Sequence, residues 1–364
     1  MSKHVVLALS GGVDSAVAAL LLLRKGYNVT PIYMTNWNLV EESGNCHQDD
    51  IISAEKTCKY LGLKLHHVNF VTDYWNCVFS ELLSDYERGW TPNPDILCNK
   101  FIKFDALRRY IHHSFGDQTL VATGHYAQLH TNCRIISLVR GVDPVKDQTF
   151  FLSGVNNFAL KNVIFPIGHL LKSQVKDIAR SCGLDFLLKR KESMGLCFIG
   201  AKRKFSEFLL EFIPERRGIF TDVETNDVVG EHRGYFLYTI GQRALIPGKP
   251  HPYFVSHIDV SSNTVYLVPG NSNPLLFCNE FKTSEFHWVK GSPPRELVNN
   301  GSYRYLFKIQ HQRSLALCSV FMNANRIICK LDLPQRAISR GQYLVLYDKN
   351  ECLGCGQIVS TKQH

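Results

Sequence analysis

The sequence predicts an α/β protein in which an N-terminal domain with a parallel sheet is followed by a small central domain and a C-terminal β-barrel. Three observations support this prediction. Strands and helices alternate through the first half of the 364 residues, a glycine-rich turn joins the first strand to the first helix, and short strands dominate after about residue 275. We expect the three domains to span residues 1–204, 205–273 and 274–364.

The first strand and helix are the clearest elements. Val5 to Leu9 is an apolar run of the length expected for a buried parallel strand. The alanine- and leucine-rich stretch from Ala16 to Lys25 predicts a helix, and Gly26 predicts its C-terminal end. The turn between them would place backbone N–H groups and two serine hydroxyls at a helix N-terminus, where phosphate oxygens can bind.

The rest of the first half repeats this alternation. We predict strands at 29–34, 65–70 and 119–123, and helices at 48–61, 74–89 and 100–113. Such alternation predicts a parallel sheet covered by helices, with ligands bound at the carboxyl ends of the strands. The glycine turn, Met34 and the segment 123–126 lie at such ends.

The second half of the chain has a different pattern of predicted elements. Short β-like runs separated by Gly, Pro, Asn and Asp extend from Gly218 to Pro269. Further strands are predicted at 303–309, 315–321, 326–331 and 343–347. Turn signals separate these strands at short intervals, which favours a small barrel or sandwich.

Composition favours a folded protein with a polyanionic partner. Hydrophobic residues make up 45% of the chain and charged residues 20%, which excludes an intrinsically disordered protein. Lys and Arg outnumber Asp and Glu by 41 to 32, giving a net charge of +9, and this balance suits nucleic acid. No apolar stretch reaches the roughly 18 residues needed to cross a bilayer. Twelve scattered cysteines, with no secretory signal, favour a reducing compartment.

The glycine turn carries the most specific signal. Positions 10–15 are SGGVDS, which matches neither the P-loop pattern GxxxxGK[ST] nor the dinucleotide pattern GxGxxG. The hexapeptide closely resembles the loop of the PP-loop ATP pyrophosphatases, proteins with an adenine nucleotide alpha hydrolase-like domain that cleave ATP between the α and β phosphates. This resemblance implies ATP and Mg²⁺ as cofactors, with Asp14 helping to hold Mg²⁺ on the pyrophosphate.

Two cysteines lie in segments suited to sulfur chemistry. Cys98 ends the segment TPNPDILC, in which two prolines predict a rigid extended loop that ends at a helix start. Lys100 and Lys103 lie nearby and would favour a thiolate. Cys197 lies in ESMGLCFIG between the basic runs 189–191 and 202–204. Local evidence alone leaves open that either is a buried structural cysteine.

Several motifs, taken together and in order, resemble one family. SGGVDS is followed by NPDILCN at 93–99, ATGHYA at 122–127, KDQTFFL at 146–152, ESMGLCFIG at 192–200, FLYTIGQR at 236–243 and ECLG at 351–354. Over essentially its whole length the chain is similar to the tRNA-specific 2-thiouridylases. The KDQTFFL and ESMGLCFIG motifs resemble the mitochondrial branch, so we expect a mitochondrial protein, with the cytoplasm as the alternative.

The resemblance also implies the site residues. Those expected to bind ATP are Ala8, Leu9, Ser10, Gly11, Gly12, Val13, Asp14, Ser15, Met34 and Gly124, with Met34 packing on adenine and Gly124 allowing close approach of the backbone. The target base would contact Asn93, Pro94 and Asp95. Cys98 would be the nucleophile and Cys197 the persulfide carrier, with Asp95 as a candidate general acid or base. The residues expected to touch tRNA are Lys146, Asp147, Gln148, His311 and Gln312.

The implied reaction explains why an ATP loop and reactive cysteines share one chain. ATP would adenylate the 2-oxygen of the anticodon wobble uridine, because a carbonyl oxygen is otherwise a poor leaving group. The persulfide on Cys197 would then deliver sulfur, either directly or as hydrosulfide freed by Cys98, and both routes leave a Cys98–Cys197 disulfide. The implied partners are tRNAs for Lys, Glu and Gln and a persulfide-donor protein, which would be either a cysteine desulfurase or a sulfur relay protein. No association with a membrane is expected.

Three other interpretations compete with this one. They are an amidotransferase-type PP-loop synthetase, a non-catalytic RNA-binding protein on a degenerate ATPase fold, and an iron–sulfur or metal protein. The paired cysteines and the basic charge count against the first, and the intact hexapeptide counts against the second. We interpret the CxxC of Cys352 and Cys355, and the pair Cys46 and His47, as incidental, so no metal site is predicted.

Overall fold

The structure, a computed structural model, describes residues 3–37, 46–133, 135–190, 204–309 and 314–363. These residues form a five-stranded parallel sheet, a five-stranded mixed sheet and a nine-stranded sheet that contains a closed barrel. The predicted α/β class with a C-terminal barrel is therefore confirmed. The domain boundaries given above stay a prediction.

The N-terminal part alternates strands with helices. Its strands are β1 His4–Ala8, β2 Asn28–Thr35, β3 His66–Asn69, β4 Leu120–Thr123, β5 Ala127–Asn132, β6 Ile135–Arg140 and β7 Val163–Ile164. Its helices are α1 Val13–Arg24, α2 Cys46–Leu61, α3 Val71–Tyr74, α4 Ser80–Glu87, α5 Pro94–Leu97, α6 Leu107–Phe115, α7 Thr149–Leu152, α8 Asn157–Leu160 and α9 Lys172–Ser181. The parallel sheet has the order β3-β2-β1-β4-β7.

Strand β1 occupies the centre of the parallel sheet because it is apolar on both faces. Val5 and Leu7 belong to the core that contains α1 and α9, whereas Val6 and Ala8 face the core on the opposite side. Gly26 follows α1 with a φ of 77°, and its N–H donates to the carbonyl of Leu23 at 2.9 Å. The predicted end of the first helix is thus confirmed.

Two of the predicted helices begin earlier than expected and contain π-helical stretches. The helix expected at 74–89 begins at Val71 and passes through a π-helical turn, Trp75–Phe79, before α4. The helix expected at 100–113 begins at Pro94 and continues through a π-helical stretch, Cys98–Ala106, into α6. A proline at the first helical position loses only an N–H that has no partner there, so Pro94 starts the helix and does not delay it.

The central part is a small mixed sheet. It comprises the helix α10 Phe205–Leu209 and the strands β8 Gly218–Asp222, β9 Val228–His232, β10 Arg243–Ala244, β11 Tyr253–Asp259 and β12 Thr264–Pro269. The strand order is β10-β11-β12-β8-β9. Its core is continuous with the face of the parallel sheet that carries Cys98.

The C-terminal part forms the barrel. Its elements are β13 Phe277–Glu285, β14 His287–Trp288, α11 Arg295–Asn300, β15 Ser302–Ile309, β16 Ala316–Asn323, β17 Arg326–Arg336, β18 Tyr343–Asp348 and β19 Glu351–Gln363. Six of the strands follow the order β13-β17-β16-β15-β18-β19, and pairing of β19 with β13 closes the ring. Within the described ranges, no helix has the length and apolar character that crossing a bilayer would require.

The hairpin β5–β6 connects the N-terminal part to the barrel. Strand β6 pairs with β19 through Val139 opposite Glu351 and Leu138 opposite Cys352. A shared apolar core, which includes Phe150 and Tyr347, fills the space beneath this junction. The sequence did not predict this hairpin. The hairpin places the barrel directly beside the helix that carries Cys98.

Candidate active site

The glycine turn forms an open cradle at the start of α1. Gly11 has a φ of 79°, and Gly12 precedes α1 without a capping bond from a side chain of the described residues. The hydroxyl of Ser15 accepts the N–H of Ser10 at 3.2 Å and lies 3.1 Å from the Ser10 hydroxyl. Backbone N–H groups at a helix N-terminus, beside two hydroxyls, provide the donors that bind phosphate oxygens.

Residues from two distant segments hold the cradle in place. The carbonyl of Gly11 accepts the Ser53 hydroxyl at 2.8 Å and Nη1 of Arg190 at 3.0 Å. Arg190 also donates through Nη2 to a carboxylate oxygen of Asp50 at 2.5 Å. A Cβ on Gly11 would lie 2.3 Å from the carbonyl oxygen of Asp50, so only glycine fits here. The motif alone could not predict these three side chains, because they lie far from it in the chain.

Asp14 is paired with a buried lysine. Nζ of Lys172 donates to both Asp14 carboxylate oxygens, at 2.8 and 2.7 Å, and the hydroxyl of Tyr126 donates to one of them at 2.8 Å. The Lys172 side chain is 11% exposed. Its backbone N–H donates to the carboxylate of Asp143 at 2.9 Å, which fixes the start of α9. Lys172 therefore places a positive charge beside the cradle, from 158 residues away in the chain.

The donor set around Asp14 is compatible with Mg²⁺ held mainly by phosphates. Mg²⁺ commonly takes one or two carboxylates, with substrate phosphates and water as the other ligands. Asp14 offers one carboxylate at the open side of the cradle and is 32% exposed. No group of three His, Cys, Asp or Glu side chains suited to a metal occurs in the described part of the chain.

Two other expected ATP residues lie at the same edge of the sheet. Met34 lies near the end of β2 and is partly exposed. Gly124 follows β4, and a Cβ there would lie 2.8 Å from the backbone nitrogen of Ser15. The absence of a side chain at Gly124 therefore allows, first of all, a close approach between the backbone of Gly124 and the start of α1.

Cys98 lies one turn inside a helix. Asn93 precedes the helix, Pro94 begins it, and Cys98 is the first residue of the π-helical stretch. The expected position at the helix N-terminus is corrected accordingly. The Cys98 residue is 4% exposed, and the side chain of Asn99 donates to the carbonyl of Asp95 at 2.9 Å.

Three expected site residues lie outside the described residues. They are Cys197, His311 and Gln312. Arg190, which bonds to Gly11, is the last described residue before the segment that contains Cys197. The described chain therefore contacts the cradle at the last residue before that segment.

The segment 146–148 is tightly bonded within the fold. The Asp147 carboxylate accepts Nε of Arg140 at 3.1 Å and the Thr149 hydroxyl at 2.9 Å, and its side chain is 1% exposed. The side-chain oxygen of Gln148 accepts the N–H of Tyr126 at 2.9 Å. The Asp147 carboxylate is thus buried and organises the loop, and the expected contacts of residues 146–148 with tRNA stay a prediction.

The CxxC cysteines are buried under the barrel. Burial raises the pKa of Cys352 well above that of a free thiol and raises the pKa of Cys355 to about 11. Both belong to the core between the barrel and the N-terminal part. Raised pKa values keep these thiols protonated and unreactive near neutral pH.

Comparison with known protein families divides the chain into three matched segments. Residues 3–201 match the tRNA methyl transferase HUP domain, 206–269 the tRNA methyl transferase PRC-barrel domain, and 278–358 the aminomethyltransferase beta-barrel domain. These descriptions mention methyl transfer, whereas the curated relatives that match nearly the whole chain are named for thiolation. The relatives therefore decide between the two activities.

Curated relatives match the chain over almost its full length. Mitochondrial tRNA-specific 2-thiouridylase 1 of Drosophila melanogaster is 41% identical, covering 99% of this chain and 95% of its own. The protein of the same name from Homo sapiens is 42% identical, with 98% and 90% covered. The tRNA-specific 2-thiouridylase MnmA of Francisella tularensis subsp. holarctica is 39% identical, with 98% and 99% covered. The expected resemblance, including that to the mitochondrial branch, is confirmed, and the chain belongs to the tRNA-specific 2-thiouridylase family of tRNA sulfurtransferases.

Proposed function

We propose that this enzyme adenylates the 2-oxygen of the wobble uridine in mitochondrial tRNAs for Lys, Glu and Gln, and then replaces that oxygen with sulfur from a persulfide on Cys197. The observation that carries the proposal is the open cradle beside Lys172. It offers helix N-terminal N–H groups, two hydroxyls and a buried ammonium group at one place. This combination suits the release of pyrophosphate.

In the first step, the uridine 2-oxygen attacks the α-phosphorus of ATP and pyrophosphate leaves. The N-terminal N–H groups of α1 and the hydroxyls of Ser10 and Ser15 bind the phosphates, while Lys172 neutralises the developing charge. Bound Mg²⁺, held by Asp14 and the phosphates, would supply further charge neutralisation. The exposed part of Met34 provides an apolar contact for adenine at the same sheet edge.

In the second step, sulfur replaces the adenylated oxygen. The terminal sulfur of the Cys197 persulfide attacks carbon 2, and AMP leaves with the original oxygen. The Cys98 thiolate then attacks the Cys197 sulfur, which releases 2-thiouridine and leaves a Cys98–Cys197 disulfide. If Cys98 instead attacks first, hydrosulfide is freed and attacks carbon 2, with the same products. A thiol reductant must reduce the disulfide before the next turnover.

The target-base segment supports this assignment. Asn93 and Asp95 are partly exposed beside buried Pro94, and they lie within five residues of Cys98. A base in an anticodon loop can leave its stack at a cost of about a few kcal/mol, so it can reach a partly buried site. A persulfide-donor protein, either a desulfurase or a relay protein, would charge Cys197.

Separate roles for the two cysteines can be tested with a radioactive sulfur donor. We expect Cys197→Ser to abolish persulfide labelling and Cys98→Ser to keep it while failing in multiple-turnover thiolation. Cys133→Ser, at an exposed cysteine, is the matched control and should behave as wild type. Label on Cys98 together with tRNA thiolation by Cys197→Ser would refute the assignment.

Lys172 can be tested through the first step alone. Lys172→Met should reduce tRNA-dependent pyrophosphate release by about a hundredfold, as expected when an oriented charge on a reacting phosphate is removed. Binding of tRNA should change little. Lys161→Met, at an exposed loop lysine, is the control. Unchanged pyrophosphate release by Lys172→Met would remove Lys172 from the mechanism.

A further inference from the structure

The barrel is hydrogen-bonded to the loop that precedes the Cys98 helix. The N–H of Thr91 donates to the carbonyl of Arg340 at 2.8 Å. Nε2 of Gln342 donates to the carbonyl of Thr91 at 2.8 Å and to that of Pro92 at 3.3 Å. The segment Thr91–Pro94, which we name the target-base loop, is therefore bonded to a barrel segment 250 residues later in the chain.

The contact between the two segments is too close for any side chain at position 341. Gly341 has a φ of 88°, and a Cβ there would lie 2.8 Å from the carbonyl oxygen of Thr91. Its N–H donates to the carbonyl of Ile358 in β19 at 2.9 Å. The glycine thus lets the barrel backbone touch the target-base loop while remaining tied to the barrel.

The side-chain amide of Gln342 forms hydrogen bonds to the target-base loop that an apolar side chain could not form. Gln342 is 2% exposed, and its Oε1 has no hydrogen-bond partner among the described residues. A buried amide oxygen without a partner destabilises the folded state. An apolar side chain at this position would avoid that penalty, so the benefit of glutamine lies in the two carbonyls that its nitrogen holds.

A second glutamine ties the preceding helix to the same barrel edge. Nε2 of Gln357 donates to a carboxylate oxygen of Asp85 at 2.7 Å and to the carbonyl of Gly341 at 3.3 Å. The carbonyl of Asp85 in turn accepts the N–H of Trp90 at 2.9 Å. The end of α4 and the target-base loop are therefore held together from one side.

We propose that Gln342 is a positioning residue for sulfur transfer, which holds the target-base loop so that the uridine and Cys98 meet in a reactive geometry. The inference rests on the proposed function of residues 93–98. Because Pro92 and Pro94 make the loop stiff, a shift at Thr91 is transmitted to the start of α5. The barrel thereby contributes to the reaction through the fold as well as through any contact with RNA.

Two variants disturb the same contact in different ways. Gln342→Met removes the donor and keeps the length of the side chain, whereas Gly341→Ala places a methyl group against Thr91. Gln335→Met, at a partly exposed glutamine of β17, is the matched control. For each protein, hydrogen–deuterium exchange of the peptide covering 90–97 reports the loop, and kcat and the KM for ATP of tRNA thiolation report catalysis.

We expect faster exchange in 90–97 for both variants, with kcat reduced by about tenfold to a hundredfold, as misplacement of a reacting group predicts. The KM for ATP should stay within about twofold, since the ATP cradle is bonded elsewhere. If Gln342 had a purely structural role, the variants would have a lower melting temperature without a reduced kcat at an unchanged KM for ATP.

Unchanged exchange in 90–97 for both variants would refute the barrel's hold on the loop, and faster exchange with unchanged kcat would refute the positioning role. Neither result depends on the identity of the nucleophile. Thiolation by Cys98→Ser would overturn the proposed function while leaving the exchange result in place, so the two failures are distinguishable.

Discussion

Asp85 lowers the stability of the folded protein at neutral pH, and replacing it should show by how much. Its residue is 5% exposed. Burial raises the pKa of its carboxyl from 3.8 to about 6, although the hydrogen bond from Gln357 and the charge of Arg88 act in the opposite direction. Because the folded pKa lies above the unfolded value, the folded state is favoured most while the group is protonated, and its stability falls as the pH rises from about 3.8 to about 6.

The magnitude follows from the pKa difference. Each pKa unit corresponds to 1.36 kcal/mol, so ionisation with a pKa of about 6 in place of 3.8 destabilises the folded state by about 3 kcal/mol well above pH 6. Asp85→Asn keeps an acceptor for Gln357 and removes the ionisation. The variant should match wild type near about pH 3.5 and become more stable by up to about 3 kcal/mol near about pH 8.

Urea unfolding followed by tryptophan fluorescence, repeated at several pH values between these limits, measures the difference. Asp177→Asn is the control, since its side chain is 68% exposed in a pair with Arg180. Such a surface change should stay within about 0.5 kcal/mol. A difference between Asp85→Asn and wild type that does not grow with pH, or that favours wild type as the pH rises, would refute the reasoning.

Three further predictions address the cradle, the thiols and the RNA surface. Gly124→Ala, whose methyl group would lie 2.8 Å from the Ser15 nitrogen, should slow pyrophosphate release more than about tenfold, whereas Gly230→Ala, which meets only ordinary contacts, should not. In the folded protein, iodoacetamide near pH 8 should label exposed Cys133 long before buried Cys352 and Cys355, and equal labelling rates, measured by mass spectrometry, would contradict this. Affinity for tRNA should fall steeply between low and physiological salt in a filter-binding assay, as counterion release by a chain of net charge +9 requires. Salt-independent binding would argue against phosphate contacts.

The sequence was sufficient for the elements whose signals are local. The apolar run of β1, the SGGVDS turn and Gly26 each specify their own conformation within a few residues, and the structure agrees with all three. The helix that begins at Pro94 was misplaced because proline was weighed as a helix breaker, although at the first helical position it is favourable.

The contacts that complete the site could not be predicted in the same way. Lys172 reaches Asp14 from 158 residues away, and a single lysine at the start of an amphipathic helix carries no sign of its partner. The burial of Asp147 was equally invisible, since a carboxylate beside a lysine suggests an exposed pair until Arg140 and Thr149 are placed around it. Long-range packing decided both outcomes.

The long separation between the target-base loop and its barrel contacts sets an order in time during synthesis. At about 5–20 residues per second, a ribosome needs on the order of ten to fifty seconds to add the 250 residues between Pro92 and Gln342. During that interval the nascent chain can form β1, α1 and the ATP cradle, whereas the loop before Cys98 lacks the groups that hold it. If Gln342 positions the loop as proposed, the chain should become competent for sulfur transfer only after it can bind nucleotide, once the barrel has closed.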